Sequence, residues 1–225
     1  MNVPPLLETV EMTDVRYLKG DHLGHFLAWI SLVPIFISIA GFLSHLIFRR
    51  ELQGLFCALG HVISLLSTNF IKNIVKQARP QTCAMLGVCH SYGWPSNHSQ
   101  FTTFFASYVS LLTYRRLGLC NGKFKWVGAA LAWCLAFLTM YSRVYLGYHT
   151  FDQVVAGAFL GFVLGIFWFW VGYSFIFCSF PAIENCKLCR MFCIKDTSHI
   201  PDVMKFEYEN SKAARKAKAT GCKCL

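Results

Sequence analysis

Three short stretches of the chain carry side chains whose types and spacing suit the handling of a phosphoryl group. In "KNIVKQARP", Lys72, Lys76 and Arg79 stand at i, i+4 and i+7. A helix continuing through them carries all three cations on one face until Pro80 stops it. In "GWPSNHSQF", residues 93 to 101, Pro95, Ser96, Asn97 and His98 stand at the entrance to an apolar run. Asn97 or Ser99 can cap a helix there, and a helix N-terminus binds phosphate readily through its free N–H groups. The third stretch, "YSRVYLGYHTFDQ", supplies Ser142, Arg143, His149, Asp152 and Gln153. Arg143 offers a planar fork of donors, and either Asp152 or Gln153 can orient the His149 ring. Thr150 with Gln153 three residues on has the form of a capping box, so a helix is expected to start here.

Each stretch alone has an ordinary reading. Lysines near helix ends snorkel to headgroups, a lone interfacial histidine is usually a satisfied packing residue, and Gln153 can serve the cap alone. The combination is more specific. Phosphoryl transfer needs cations and N–H groups around the equatorial oxygens, an in-line nucleophile, and an acid for the leaving oxygen. These stretches supply all of them. Lys and Arg already bring the positive charge, so the set requires neither metal nor cofactor.

The elements that must position these groups are hydrophobic. Of the 225 residues 55% are hydrophobic and only 14% charged, a balance outside the range of soluble domains. A hydrocarbon core of about 30 Å takes roughly 20 apolar helical residues to cross. Five segments approach that: 25–48, 55–75, 100–114, 126–141 and 154–177. The second contains His61, Asn69 and Lys72, and the third is short and rich in Ser and Thr. The expected fold is therefore an all-α polytopic membrane bundle of about five transmembrane helices, without internal repeats. The first 14 residues have neither the basic nor the apolar stretch of a cleavable signal peptide, so the first helix is expected to act as the targeting signal.

Topology then brings the three stretches together. The loops after the second and fourth crossings lie on the same side as the N-terminus. All but six of the 21 Lys and Arg residues fall on the other side, the exceptions being Arg16, Lys19, Lys72, Lys76, Arg79 and Arg143. The positive-inside rule makes that other side cytoplasmic. The expected division is a lumenal N-terminal segment at 1–24, a transmembrane domain at 25–177 holding the site at the lumenal membrane edge, and a basic cytoplasmic tail at 178–225. The formal charge of +10 then belongs mostly to cytoplasmic loops and a membrane-leaning tail, which excludes nucleic acid as the natural partner.

With all three stretches in view, the chain resembles the type 2 phosphatidic acid phosphatase superfamily of membrane phosphatases. The pattern of that family is K-x6-RP, PSGH and SR-x5-H-x3-D. Here it reads Lys72 to Arg79-Pro80, Pro95-Ser96-Asn97-His98, and Ser142-Arg143 to His149. Asn97 replaces the glycine, and Gln153 stands where the closing aspartate belongs, with Asp152 one position early. The resemblance implies that His149 is the nucleophile, forming a phosphohistidine, and that His98 is the general acid. It also implies that Lys72, Arg79, Ser96 and Arg143 hold the phosphate, with Asn97 shaping that pocket and Asp152 or Gln153 serving His149. Lys76 lies outside the pattern.

Longer stretches, among them "GDHLGHFLAWISLVPIF", "NFIKNIVKQARP" and "IKDTSHIPDVMKFEY", resemble the branch of that family acting on dolichyl diphosphate. This implies an endoplasmic reticulum enzyme that removes the terminal phosphate of a polyprenyl diphosphate and so recycles the lipid carrier of N-glycosylation. A general lipid phosphate phosphatase, acting on phosphatidate or sphingoid phosphates, is the alternative enzyme. A lipid-binding or transport protein that keeps only the anion site is the alternative outside catalysis.

Other polar residues have plainer roles. Cys57, Cys134 and Cys178 are expected to pack in or near apolar helices. Cys83 and Cys89 share the lumenal loop, where the compartment permits a disulfide. Cys186, Cys189 and Cys193 in "CKLCRMFC" suit unmodified thiols or juxtamembrane palmitoylation better than zinc, and "CKCL" is a poor prenylation end. His22 and His25 read as interfacial residues, and His61 and Asn69 as groups facing the bundle interior, where they can brace Lys72.

Overall fold

The computed structural model of the protein describes residues 7–10, 13, 15–115, 125–200 and 203–221. The basic loop at 116–124 and the terminal "CKCL" lie outside these residues. The chain opens with a two-stranded antiparallel hairpin, β1 (Leu7–Thr9) against β2 (Arg16–Leu18). Asp21 then caps α1 (His22–Ser44) by accepting from the Gly24 N–H at 2.9 Å, and a π-helical turn, His45–Arg49, continues it. His25 stacks on Tyr17, with ring centroids 4.8 Å apart, and accepts from Trp29 Nε1 at 3.1 Å.

Further along run α2 (Leu52–Val75), the short α3 (Cys83–Leu86), α4 (Asn97–Arg115), α5 (Lys125–Tyr145) and α6 (Phe151–Val171). Four stretches have the length and apolar composition to cross a membrane: His22–Arg49, Leu52–Val75, Trp126–Tyr145 and Phe151–Glu184. The fifth expected span is α4, whose composition is too polar to stand out. Its polar side chains face protein: Ser99, Gln100, Thr102, Thr103 and Ser107 are all buried. Large apolar residues such as Phe36, Ile39, Leu66, Phe70, Phe137, Phe159 and Phe167 are instead exposed, as a surface solvated by lipid requires.

The tightest contact in the bundle is between α4 and α6, and small residues make it possible. Gly157, Gly161 and Gly165 form one stripe on α6, four residues apart. A Cβ on Gly157 would collide with the Ser96 carbonyl, one on Gly161 with the Gln100 carbonyl and Thr103 Oγ1, and one on Gly165 with Ser107 Oγ. Close backbone approach through such stripes is how helices associate where no water drives burial. Along α4, Ser and Thr hydroxyls return to carbonyls of the preceding turn, as Thr103 Oγ1 does to Ser99 O at 2.7 Å and Ser107 Oγ to Thr103 O at 2.8 Å. On the α2 side, Gln100 donates to Ser64 Oγ.

At the far end of the bundle, α6 runs through irregular turns into α7 (Phe180–Glu184), α8 (Lys187–Phe192) and α9 (Val203–Gly221). The tail is anchored at its start. Leu52 N–H donates to Lys195 O at 3.1 Å and Lys195 N–H to Arg50 O at 2.8 Å, while Glu207 pairs with Arg49 at 2.6 Å and Lys195 at 3.3 Å. Residues 208–218 of α9 are exposed, as the basic sequence demands. Among the described residues no cluster of three or more His, Cys, Asp or Glu side chains is arranged to hold a metal ion.

Candidate active site

The site forms where the ends of α2, α4, α5 and α6 meet. Lys72 reaches it from the last turn of α2 and is buried. The helix does not run on to Pro80. It stops at Val75, with Lys76 in the left-handed conformation (φ 52°) and its N–H donating to Lys72 O at 2.9 Å. The residue before a proline disfavours helix, and the segment instead turns so that Gln77 O accepts from Gly93 N–H at 2.8 Å. The expected stripe is therefore not helical. Lys76 is exposed and outside the site, while Arg79 enters it from the loop.

Arg79 is tied down by that loop. Its Nη2 donates to Ser91 Oγ at 2.9 Å and its Nε to Ser91 O at 3.2 Å, and Nη1 donates to Tyr148 O at 3.0 Å. The Cys83–Cys89 disulfide closes the loop that presents Ser91. Nη1 also stands 3.3 Å from His149 Nε2. Burial pushes the Arg79 guanidinium below its ordinary pKa.

His149 is buried, 3% exposed, just ahead of α6. The capping box is present, Thr150 accepting from Gln153 N–H while the Gln153 side chain accepts from Thr150 N–H. Gln153 does more than cap. Its Oε1 lies 3.2 Å from His149 Nδ1, and the Gly93 carbonyl lies 3.0 Å from the same nitrogen. Both neighbours are acceptors, so Nδ1 carries the proton and Nε2 keeps its lone pair, aimed at Arg79. The Gln153 amide meanwhile donates to Ala78 O at 2.9 Å and Gln77 Oε1 at 3.3 Å. Burial first, and then the charges of Arg143, Arg79 and Lys72, hold the His149 pKa down to about 3.

Asp152 does not share this role. It is the second residue of α6, points outward and is exposed, because only the third helical position lies under the Thr150 cap. The choice between Asp152 and Gln153 thus falls to Gln153.

Arg143 comes from the end of α5. It is 4% exposed, and its Cζ lies 4.0 Å from the centroid of the Tyr148 ring. Its Nε and Nη1 have no hydrogen-bond partner among the described residues. The neighbouring Ser142 is turned back to Thr139 O at 2.7 Å. Ser96, fully buried, occupies the position before α4. Its N–H donates to Gln153 O at 3.0 Å and its Oγ has no partner among the described residues. His98 follows in the first turn of α4, within electrostatic reach of Arg143, His149, Lys72 and Arg79.

The Asn97 amide nitrogen reaches Asn69 Oδ1 at 3.4 Å, joining α4 to α2, while its own Oδ1 is buried without a partner among the described residues. Asn69 itself is exposed, not interior. His61 is buried but remote from Lys72: its Nδ1 lies 3.2 Å from Cys57 O, and Phe42, Phe101 and Phe104 surround its ring. The structure thus brings together Lys72, Arg79, Ser96, His98, Arg143, His149 and Gln153, and leaves out Lys76, Asp152 and Asn69.

Ser91, Gly93 and Tyr148 were not singled out from the sequence. Of these only Gly93 leaves a trace, as a glycine whose Cβ would strike the Gln153 side chain at 2.5 Å.

The electrostatics are one-sided. Among the described residues no carboxylate forms an ion pair with Lys72, Arg79 or Arg143. Buried cations without counter-charge are costly, so the pocket is built to receive an anion. Arg143 Nε and Nη1 and Ser96 Oγ, unpartnered among the described residues, are donors of the kind a tetrahedral oxyanion accepts from.

The chain is similar to known proteins along nearly its whole length. Over 215 residues, 95% of each chain, the sequence is 57% identical to lipid phosphate phosphatase gamma of Arabidopsis thaliana. It is 37% identical over 218 residues to human dolichyldiphosphatase 1, covering 94% of this chain and 91% of that one. It is 32% identical over 215 residues to dolichyldiphosphatase of Saccharomyces cerevisiae, covering 93% and 90%. The fold matches the crystal structure of a transmembrane PAP2 type phosphatidylglycerolphosphate phosphatase from Bacillus subtilis, with a TM-score of 0.58 and 21% identity over 70% of this chain and 80% of that one. The PAP2 superfamily model itself spans residues 53–176, from the first turn of α2 past the end of α6, and so contains every side chain gathered at the pocket. A sequence that carries this model from α2 through α6, and relatives along nearly its whole length, belongs to the PAP2 superfamily.

Proposed function

We propose that the chain is a lipid phosphate phosphatase of the endoplasmic reticulum membrane whose substrate is dolichyl diphosphate or a similar polyprenyl diphosphate. The observation that carries the chemistry is the His149 environment, with Nδ1 against two acceptors and Nε2 beside Arg79. In the reaction His149 Nε2 attacks the terminal phosphorus, and the bond from phosphorus to the bridging oxygen breaks. His98 gives its proton to the departing oxygen, so dolichyl phosphate leaves. Water then attacks the phosphohistidine with His98 taking its proton, and inorganic phosphate is released. Lys72, Arg79, Arg143 and Ser96 stabilise the charge that builds on the equatorial oxygens.

The polyprenyl diphosphate assignment rests on the long resemblance to dolichyldiphosphatases, at 37% and 32% identity to two of them. A broader lipid phosphate phosphatase is the second reading, favoured by the 57% identity to the Arabidopsis protein of that name. On the proposed orientation residues 1–24 and the site face the lumen, 25–177 form the membrane domain, and 178–225 form a cytoplasmic tail. The Lys and Arg asymmetry supports it.

The test is phosphate release by purified protein in detergent, with chelator present, from dolichyl diphosphate, dolichyl phosphate and phosphatidate. Fastest release from the diphosphate, lost in His149→Ala, supports the proposal. Equal or faster release from phosphatidate moves the assignment to the broader enzyme. Absence of release from all three by folded protein overturns catalysis.

A further inference from the structure

Tyr148 precedes the nucleophile and takes no part in the chemistry above, yet three of its parts hold three different things. Its ring lies under the Arg143 guanidinium, 4.0 Å from Cζ to centroid. Its carbonyl accepts from Arg79 Nη1 at 3.0 Å. Its hydroxyl accepts from the Arg16 backbone N–H at 2.7 Å, in strand β2 of the N-terminal hairpin. The residue is 4% exposed and packs with Val10, Val15, Ala28, Leu32 and Leu86, so the hairpin, α1 and the disulfide-closed loop meet around it.

Given the reading of this pocket as a phosphatase site, we infer that Tyr148 is the positioning residue for both phosphate-facing arginines, and that it ties their placement to the N-terminal hairpin. The choice of an aromatic support has a physical reason. A carboxylate would hold Arg143 by neutralising it and occupying its N–H groups, which the phosphate needs. A ring face attracts the cation and fixes its plane while leaving every N–H free. Arg143 Nε and Nη1 are indeed without partners among the described residues. The hydroxyl then sets the ring's own position, since its donor belongs to the hairpin backbone. The hairpin is further held by Arg16 Nη1, which donates to Met85 O at 3.4 Å. An anion that tightens Arg143 therefore tightens the hairpin.

The experiment uses the full chain in detergent, with orthovanadate as the mimic of the transferring phosphoryl group. Tyr148→Leu removes the ring, and Tyr148→Phe removes only the hydroxyl. Turnover, vanadate inhibition and hydrogen exchange of the 7–21 segment are measured for each. Tyr148→Leu is expected to lower kcat/KM and weaken vanadate by about 10- to 100-fold, the scale for residues that orient a reacting group, and Tyr148→Phe to recover most of both. Vanadate should slow exchange of the hairpin in the wild type and not in Tyr148→Phe. Wild-type vanadate affinity in Tyr148→Leu overturns the inference. Should that variant not fold, hairpin exchange in the wild type that ignores vanadate overturns it instead. A wild-type protein that binds vanadate with hairpin protection but releases no phosphate sinks the phosphatase reading and leaves the Tyr148 link standing.

Discussion

His149 Nδ1 lies 3.0 Å from the carbonyl oxygen of Gly93, and this pairing decides which face of the imidazole can react. A carbonyl cannot donate, so the proton stays on Nδ1 and Nε2 remains a base. Gly93 is held in turn by its own N–H, which donates to Gln77 O at 2.8 Å, next to the Ala78 carbonyl that receives the Gln153 amide. The tautomer is thereby fixed by backbone and by an amide, without the carboxylate expected of the family pattern.

Gln153 contributes one of the two acceptors, so Gln153→Leu should lower kcat by about 10- to 100-fold, the usual loss when an orienting partner is removed. Asp152→Asn, at an exposed position, should leave kcat within about twofold, as surface changes away from the site generally do. Steady-state kinetics on the two purified variants checks both. A larger loss in Asp152→Asn would contradict the outward placement of that side chain.

The depressed pKa of His149, about 3 against an ordinary 6.5, makes two statements about pH. The unfolded chain binds a proton on this group between those values and the folded chain does not. Stability from this residue is therefore present above about pH 6.5 and is lost as pH falls toward 3. His149, the proposed nucleophile, also stays unprotonated in the free protein through pH 5, so the acidic limb of kcat/KM should not report it. Histidine NMR on ring-labelled protein should give an apo value far below 6 that rises when vanadate neutralises the surrounding cations.

Two lysines four residues apart should behave oppositely. Lys72→Ala removes a buried cation from the pocket and should cost about 100- to 1000-fold in kcat/KM, the scale for losing one donor to a transition-state oxyanion. Lys76→Ala acts at an exposed residue and should stay within about twofold. Comparable losses in both would restore the helical stripe that the left-handed turn at Lys76 abolishes.

Gly161→Ala places a methyl against the Gln100 carbonyl, where backbone has to move. The expected cost is about 1–3 kcal/mol, as for other overpacked contacts. It should appear as a lower temperature of activity loss in detergent, with kcat at low temperature little changed. An unchanged thermal profile would mean that α4 and α6 are not as closely apposed as described.

The sequence made the outline of this site legible because its chemistry depends on residue type. Cations, a pair of histidines and a capping box announce themselves at fixed spacing, and the helical bundle follows from apolar runs. What escaped was set by backbone path. Three cations at i, i+4 and i+7 imply a shared face only if the helix continues, and it ends at Val75, ahead of Pro80. Gln153 and Asp152 differ by one position, and only the cap geometry separates inside from outside. Gly93 and Ser91 act through a carbonyl and a loop closure that no side-chain pattern encodes. The α4 span is concealed by its Ser and Thr, and the Gly157, Gly161 and Gly165 stripe that seats it was not read from the sequence.

The seam between α4 and α6 also governs how the two proposed reacting groups are held. The start of α4 is bonded to the start of α6 through Ser96 N–H and Gln153 O at 3.0 Å, and below that bond the two helices are in backbone contact. The proposed acid and nucleophile therefore stand on one wall, which has no hinge of its own. On the α2 side Asn69 meets Asn97 and Ser64 meets Gln100 through side-chain bonds, the His61 ring packs against Phe101 and Phe104, and Trp168 Nε1 donates to Phe56 O at 3.0 Å. The two proposed reacting groups thus share one wall, and the packing that joins α4 to α6 holds them in register with each other.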